Sequence, residues 1–317
     1  MKKLLGIAAF LLSFSLQAQQ NPQYSQYIFN GMIINPAYTG SKKVININAL
    51  HRMQWTGYGE DGISTQTLSV DGATKNDRIG LGMFMVHDRI SYTGKYSVFG
   101  NAAVKLPVSE TGVLSLGMAI GAYRHYIHSD QVRIIDEDDP SIPQGNDEFV
   151  VKPDLRVGMY YHTERFYAGL SVENLIYFRD SRVIEPERHY YLTAGYVFDL
   201  SESFKLKPNF LLKEDFNGPT NVDLNAFLLW NNTIWVGASY RTAANLFKKP
   251  VLDASDYLEF RDAVAFITEI YPTPRLRIGY AYDVMMNDMQ GQNTHEISLG
   301  YMFLKKRPTK MLTPQYF

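Results

Sequence analysis

Val113-Leu114-Ser115-Leu116-Gly117-Met118-Ala119-Ile120-Gly121-Ala122-Tyr123 contains two interleaved sets of residues. Leu114, Leu116, Met118 and Ile120 are large and apolar, while Ser115, Gly117, Ala119 and Gly121 are small or polar. Successive side chains of an extended strand point to opposite sides, so a period of two gives each set its own face. A helix, with its longer period, would mix them. The pattern recurs along the chain. Ile45, Ile47 and Ala49 oppose Asn46, Asn48 and Arg52; Ile234, Val236, Ala238 and Tyr240 oppose Trp235, Gly237, Ser239 and Arg241. Leu276, Ile278, Tyr280 and Tyr282 alternate with Arg277, Gly279, Ala281 and Asp283, and Ile297, Leu299, Tyr301 and Phe303 with Glu296, Ser298, Gly300 and Met302.

Strands are predicted over 43–55, 64–72, 78–87, 95–108, 112–127, 150–162, 165–175, 188–199, 203–214, 220–230, 233–242, 258–271, 275–284 and 294–304. The connections Ala73–Asp77, Ser109–Thr111, Thr163–Glu164, Leu200–Glu202, Asn231–Asn232 and Pro272–Pro274 are short. Those between them are mostly longer: Thr56–Ile63, Asp88–Gly94, His128–Phe149, Ile176–Glu187, Asp215–Pro219, Ala243–Tyr257 and Met285–Asn293. Short periplasmic turns and longer extracellular loops are the arrangement of outer-membrane barrels. The expected fold is therefore all-β, a transmembrane outer-membrane β-barrel of about fourteen antiparallel strands. An even number of strands returns the chain to its starting side, so both ends are expected in the periplasm.

Composition agrees with this class. The chain has 317 residues, enough for one large barrel, and 14% are aromatic, which suits strands and interfacial girdles. A mean hydropathy of −0.21 does not resemble that of a helical membrane protein. A formal net charge of −1 carries no footprint for nucleic acid. Residues 1–18 read as a signal peptide: Lys2 and Lys3, then the apolar run Leu4–Leu16, then Ala18 before the cut. Cysteine is absent, which excludes disulfides and lipidation at the cleavage point.

The barrel reading gives the polar face a lumen. Arg52, Arg156, Arg241 and Arg277 share the inward parity with Glu173, Asp223, Glu269 and Asp283. A charged side chain facing lipid at the bilayer centre would cost about 2–4 kcal/mol. The many inward Gly and Ala positions imply close packing of something inside the lumen. The domain organisation expected is a signal peptide over 1–18, a periplasmic or plug segment over 19–42, a barrel over 43–304 and a periplasmic tail over 305–317. Proline interrupts both flanking segments, so neither reads as a strand.

The string Gln20-Asn21-Pro22-Gln23-Tyr24-Ser25-Gln26-Tyr27-Ile28-Phe29-Asn30, followed by Asn35-Pro36-Ala37-Tyr38-Thr39-Gly40, resembles the opening of the mature PorP/SprF family. Asn21 stands where that family usually has Asp. Arg52-Met53-Gln54-Trp55, Gly237-Ala238-Ser239-Tyr240-Arg241 and Gly279-Tyr280-Ala281-Tyr282-Asp283 also fit, so the resemblance runs over nearly the whole mature chain. It implies an outer-membrane, non-enzymatic component of the type IX secretion and gliding machinery. The partners it implies are a periplasmic ring and a peptidoglycan-binding subunit of the PorK, PorN and PorE kind, and a large secreted adhesin as client.

The N-terminal motif is read as a plug or a partner contact. The tail Lys305, Lys306, Arg307 to Phe317 is read as a solvated basic end or a periplasmic docking peptide. Asp136-Glu137-Asp138-Asp139 lacks the spacing of a calcium loop, and no histidine spacing forms a metal site. Ser171 with His162 lacks the strand-turn-helix context of a hydrolase nucleophile. No catalytic, metal or cofactor residue is expected. The leading function is support of adhesin export or attachment through protein contacts on the rims. The alternative is a porin or FadL-like transporter of small or hydrophobic solutes.

Overall fold

In a computed structural model, residues 22–127, 148–176, 187–244, 246–247, 261–286 and 291–304 are described. The strands are β1 Ile45–Gln54, β2 Ile63–Ala73, β3 Ile79–Ile90, β4 Thr93–Pro107, β5 Val113–Ile127, β6 Glu148–His162 and β7 Phe166–Glu173. They continue with β8 His189–Tyr196, β9 Phe204–Glu214, β10 Thr220–Trp230, β11 Ile234–Ala244, β12 Arg261–Ile270, β13 Leu276–Met285 and β14 Thr294–Phe303. After a break at Val197, Phe198–Asp199 prolongs β8 along β9. Every strand pairs antiparallel with the next, and β14 pairs with β1 from Ile45↔Phe303 to Met53↔His295. The sheet therefore closes on itself as a fourteen-stranded antiparallel barrel. Closure leaves no open sheet edge, which is what lipid demands of a backbone that crosses it. No helix among the described residues is long and apolar enough to cross a membrane; the crossing is made by strands.

The two faces separate as the alternation predicts. Met118 and Ile120 are 50% and 62% exposed on the outside, while Ser115 and Ala119, on the inward face of the same strand, are both at 0%. Tyr196, Phe198, Phe204, Trp230, Tyr301 and Phe303 lie exposed near the short-turn end, where an interfacial aromatic girdle belongs. Trp235, by contrast, points inward and is fully buried.

One expected long loop is a tight turn. Asp88–Gly94 belongs mostly to β3 and β4, which pair as Asp88↔Lys95, Arg89↔Gly94 and Ile90↔Thr93. Only Ser91 and Tyr92 connect them, with Ser91 at a φ of 51°. β3 has 12 residues and β4, β5 and β6 have 15 each, against the roughly 9–11 a bilayer needs. Their ends project into water, where polar residues such as Asp88 and Lys95 remain in the ladder. Polarity alone therefore does not mark where pairing stops. Residues 1–18, read as a leader, Gln20, the Asp136–Asp139 run and the tail with Lys305, Lys306, Arg307 and Phe317 lie outside the described residues.

Candidate functional site

The lumen is occupied by the chain's own N-terminal segment. Pro22 to Lys42 runs down the inside of the barrel, not in the space beneath the short-turn rim. It enters beside the long-loop rim, where Pro22, Gln23 and Tyr24 lie with Glu214, Asp215, Pro219 and Asn221 around a vestibule open to solvent. It leaves at the short-turn rim, where Gly40 meets Asp71, Gly80 and Lys105. Three single-turn 3-10 helices, Tyr27–Phe29, Gly31–Ile33 and Pro36–Tyr38, condense the path. Asn35 starts the third: its backbone is extended, its Oδ1 accepts the Ala37 N–H at 2.9 Å, and Pro36 follows where a missing N–H costs nothing.

The upper part is held by charge. Arg52 on β1 meets Asp283 on β13 at 2.8 Å and Glu296 on β14 at 3.0 Å. Into this triad goes Ser25, whose hydroxyl donates to the Asp283 carboxylate at 2.7 Å and accepts from Arg52 at 3.0 Å. The Glu296 carboxylate accepts the backbone N–H of Ser25 at 2.9 Å and of Gln26 at 2.8 Å. The Gln26 amide donates to the Glu296 carbonyl at 3.0 Å and accepts from the Ser298 hydroxyl at 2.7 Å. Every polar atom of the Ser25 and Gln26 side chains is thus read by the wall. The network continues through Arg241 to Asp223 at 3.1 Å and Lys213 to Asp223 at 3.1 Å.

The lower part is held by shape and backbone contacts. A Cβ on Gly117 would stand 2.3 Å from the Ala37 nitrogen, and one on Gly80 would stand 2.0 Å from the Thr39 carbonyl oxygen. Only glycine lets the wall approach so closely. The Asn35 amide donates to the Met159 carbonyl at 2.9 Å, and the Ser171 hydroxyl donates to the Ile34 carbonyl at 2.7 Å. Tyr38 packs edge-on against Tyr160 at 5.3 Å between ring centres, as Phe29 does against Phe227 at 5.7 Å. The Phe29 carbonyl accepts from Lys42 at 3.1 Å and Arg277 at 3.4 Å. Burial first, then the Arg277 charge, pulls the Lys42 ammonium down to about 7.

Arg52, Arg156, Arg241, Arg277 and Asp283 all face the lumen. Arg156 pairs with Glu173 at 2.9 Å and stacks 3.9 Å above the Phe99 ring, and Arg277 reaches Glu269 at 3.9 Å and donates to Asn46 at 2.7 Å. Of the N-terminal motif, Tyr24 bonds Thr67 at 3.1 Å, Asn30 donates to Ser69 at 2.9 Å, and Tyr27 accepts from Asn225 at 2.6 Å. Ser171 sits opposite Gly158, four residues along β6 from His162, or about 13 Å, and its hydroxyl is engaged by the plug. The docking roles of Glu296, Ser298, Asp71, Lys105, Gly80 and Gly117 were not legible in the sequence. Their only traces were the inward parity of Glu296, Ser298 and Gly117 and the abundance of inward glycines. Among the described residues, no group of His, Cys, Asp and Glu could hold a metal ion.

A plugged fourteen-stranded barrel opening on this N-terminal string can be set beside known proteins. The profile described as type IX secretion system membrane protein PorP/SprF matches residues 16–301. The chain belongs to the PorP/SprF family. It is therefore an outer-membrane β-barrel protein of the type IX secretion system, and membership implies contact with other components of that machinery. The family and the fold point to a non-enzymatic membrane protein. No curated protein matches the chain. Among solved structures, the CymD monoaromatic hydrocarbon channel is similar at 12% identity and a TM-score of 0.51, covering 88% of this chain and 94% of its own. The Ralstonia pickettii toluene transporter TbuX is similar at 9% identity and a TM-score of 0.50, covering 87% and 94%. At such identities these likenesses show the barrel fold and nothing of the cargo.

Proposed function

We propose that this family member is a sealed outer-membrane scaffold that supports export or surface attachment of a large adhesin client. It would act through its rims, with PorK, PorN and PorE-like subunits on the periplasmic side. The observation that carries this reading is the plug. Residues 22–42 fill the lower lumen, and Met32, Ala37, Thr39 and Lys42 are almost wholly buried within it. A solute would have to displace a segment bonded to the wall along its length. A transport role draws support only from fold likeness, and the occupied lumen argues against it. The two readings separate in a planar bilayer: a sealed scaffold gives no stable open conductance, and a steady large conductance would overturn it. In cells, deletion of the protein should block secretion or display of one large client while general outer-membrane assembly continues; unchanged display would refute the adhesin role.

A further inference from the structure

The direction of the plug has a topological consequence. Tyr24 bonds Thr67 in the middle of β2, and Ser25 and Gln26 bond Asp283 and Glu296 toward the long-loop ends of β13 and β14. Gly40 bonds Asp71 and Lys105, both at the short-turn ends of their strands. The segment therefore descends from the long-loop rim to the short-turn rim before turning into β1. Its beginning, Pro22 and Gln23, lines the open vestibule with Lys95, His189, Glu214 and Asp215, all at the long-loop end of the barrel. If the leader ends at Ala18, only three residues precede Pro22 in the mature chain, with a reach of about 10 Å. They cannot return to the periplasm through a lumen filled by residues 24–42.

We propose that this vestibule seats the mature amino terminus, so that the protein presents its first residues to the cell exterior while β1 and β14 meet the periplasmic rim. The inference rests on leader removal at Ala18. It also sets an order of events: the apolar run Leu4–Leu16 has to be cut away before the plug is drawn in, because otherwise it would stand in a water-filled mouth.

The test uses the full chain in intact cells. A short epitope inserted between Gln20 and Asn21 should be stained by antibody without permeabilisation, at the level of the same epitope in the Thr56–Gly62 loop. The epitope in the Ser109–Thr111 turn should stain only after the outer membrane is opened. If the insertion hinders folding, Asn21→Cys in this cysteine-free chain, probed with a polymer-linked maleimide too large to cross the outer membrane, reads the same position. Reaction only after permeabilisation overturns the proposal, and so does no reaction in either state. Amino-terminal sequencing of the purified protein separates the two premises: a chain that retains residues 1–18 overturns the leader reading instead.

Discussion

The two ends of the luminal segment are fastened by opposite means. At Ser25–Gln26 the wall supplies ions: Arg52, Asp283 and Glu296 surround the dipeptide and bond it almost atom for atom. At Asn35–Thr39 it supplies room: Gly117 and Gly80 leave space for plug backbone, and the bonds run mostly to main-chain carbonyls, with charged partners, Asp71 and Lys105, returning only at Gly40. A buried ionic fastening depends on each partner's presence, because a lone charge left without water is very costly. A fastening by shape depends on volume and tolerates changes of charge. The ionic end belongs to the barrel mouth, where the chain must find its place; the shaped end seals the bottom.

The largest effect should come from breaking the ionic end. Glu296→Ala removes the acceptor of two backbone amides and one partner of Arg52, and should cost about 3–5 kcal/mol in denaturant unfolding of the reconstituted barrel. Arg52→Ala should cost a similar amount. The double variant should cost clearly less than the sum, since the two groups share one network. Strict additivity would mean that the charges act independently and that the contrast between the two ends is false.

A smaller loss is expected at the shaped end. Gly117→Val drives a side chain into the Ala37 amide and should destabilise by about 1–3 kcal/mol. It should also raise bilayer conductance, because it lifts the plug off the wall. A variant as stable and as closed as the parent would show that shape is not what seals the base. Asn35→Ala tests the same end more gently. It deletes a helix cap and a donor to the Met159 carbonyl, for about 1 kcal/mol.

Near neutral pH the smallest effect is a pH dependence. Lys42 is charged up to about 10.4 in an unfolded chain but releases its proton near 7 in the fold. The unfolded state therefore holds more protons between these values, and this contribution to stability should rise with pH across that window, fall as pH drops from about 10.4 toward about 7, and level off below. Lys42→Met should flatten this slope in the thermal midpoint. An equal slope in the variant would assign the dependence to another group.

Much of this molecule was legible in its residues. The period of two in Val113–Tyr123 and Ile234–Arg241 announced strands, and their parity put Arg241, Arg277 and Asp283 inside. The alternation of short and long connections announced a membrane barrel. The one misread loop, Asp88–Gly94, shows the limit: a strand that outruns the bilayer becomes polar without ceasing to pair, so composition marks the end of the membrane and not the end of the ladder. Inward glycines hinted at an occupant of the lumen, while the N-terminal string read equally as a plug or a partner contact.

Alternation and turn chemistry are local properties, set by residues a few positions apart, and one chain is enough to read them. They established the class, the compartment and the face of each wall residue. The contacts of Glu296 with Ser25, 271 positions away, and of Gly117 with Ala37 depend on how the ring closes and on which way the segment threads it. No periodicity encodes a pairing between a strand and an irregular peptide. That the lumen is stopped, and that its stopper hangs from the outer mouth, emerges only when fourteen strands curve round far enough to bring the last beside the first.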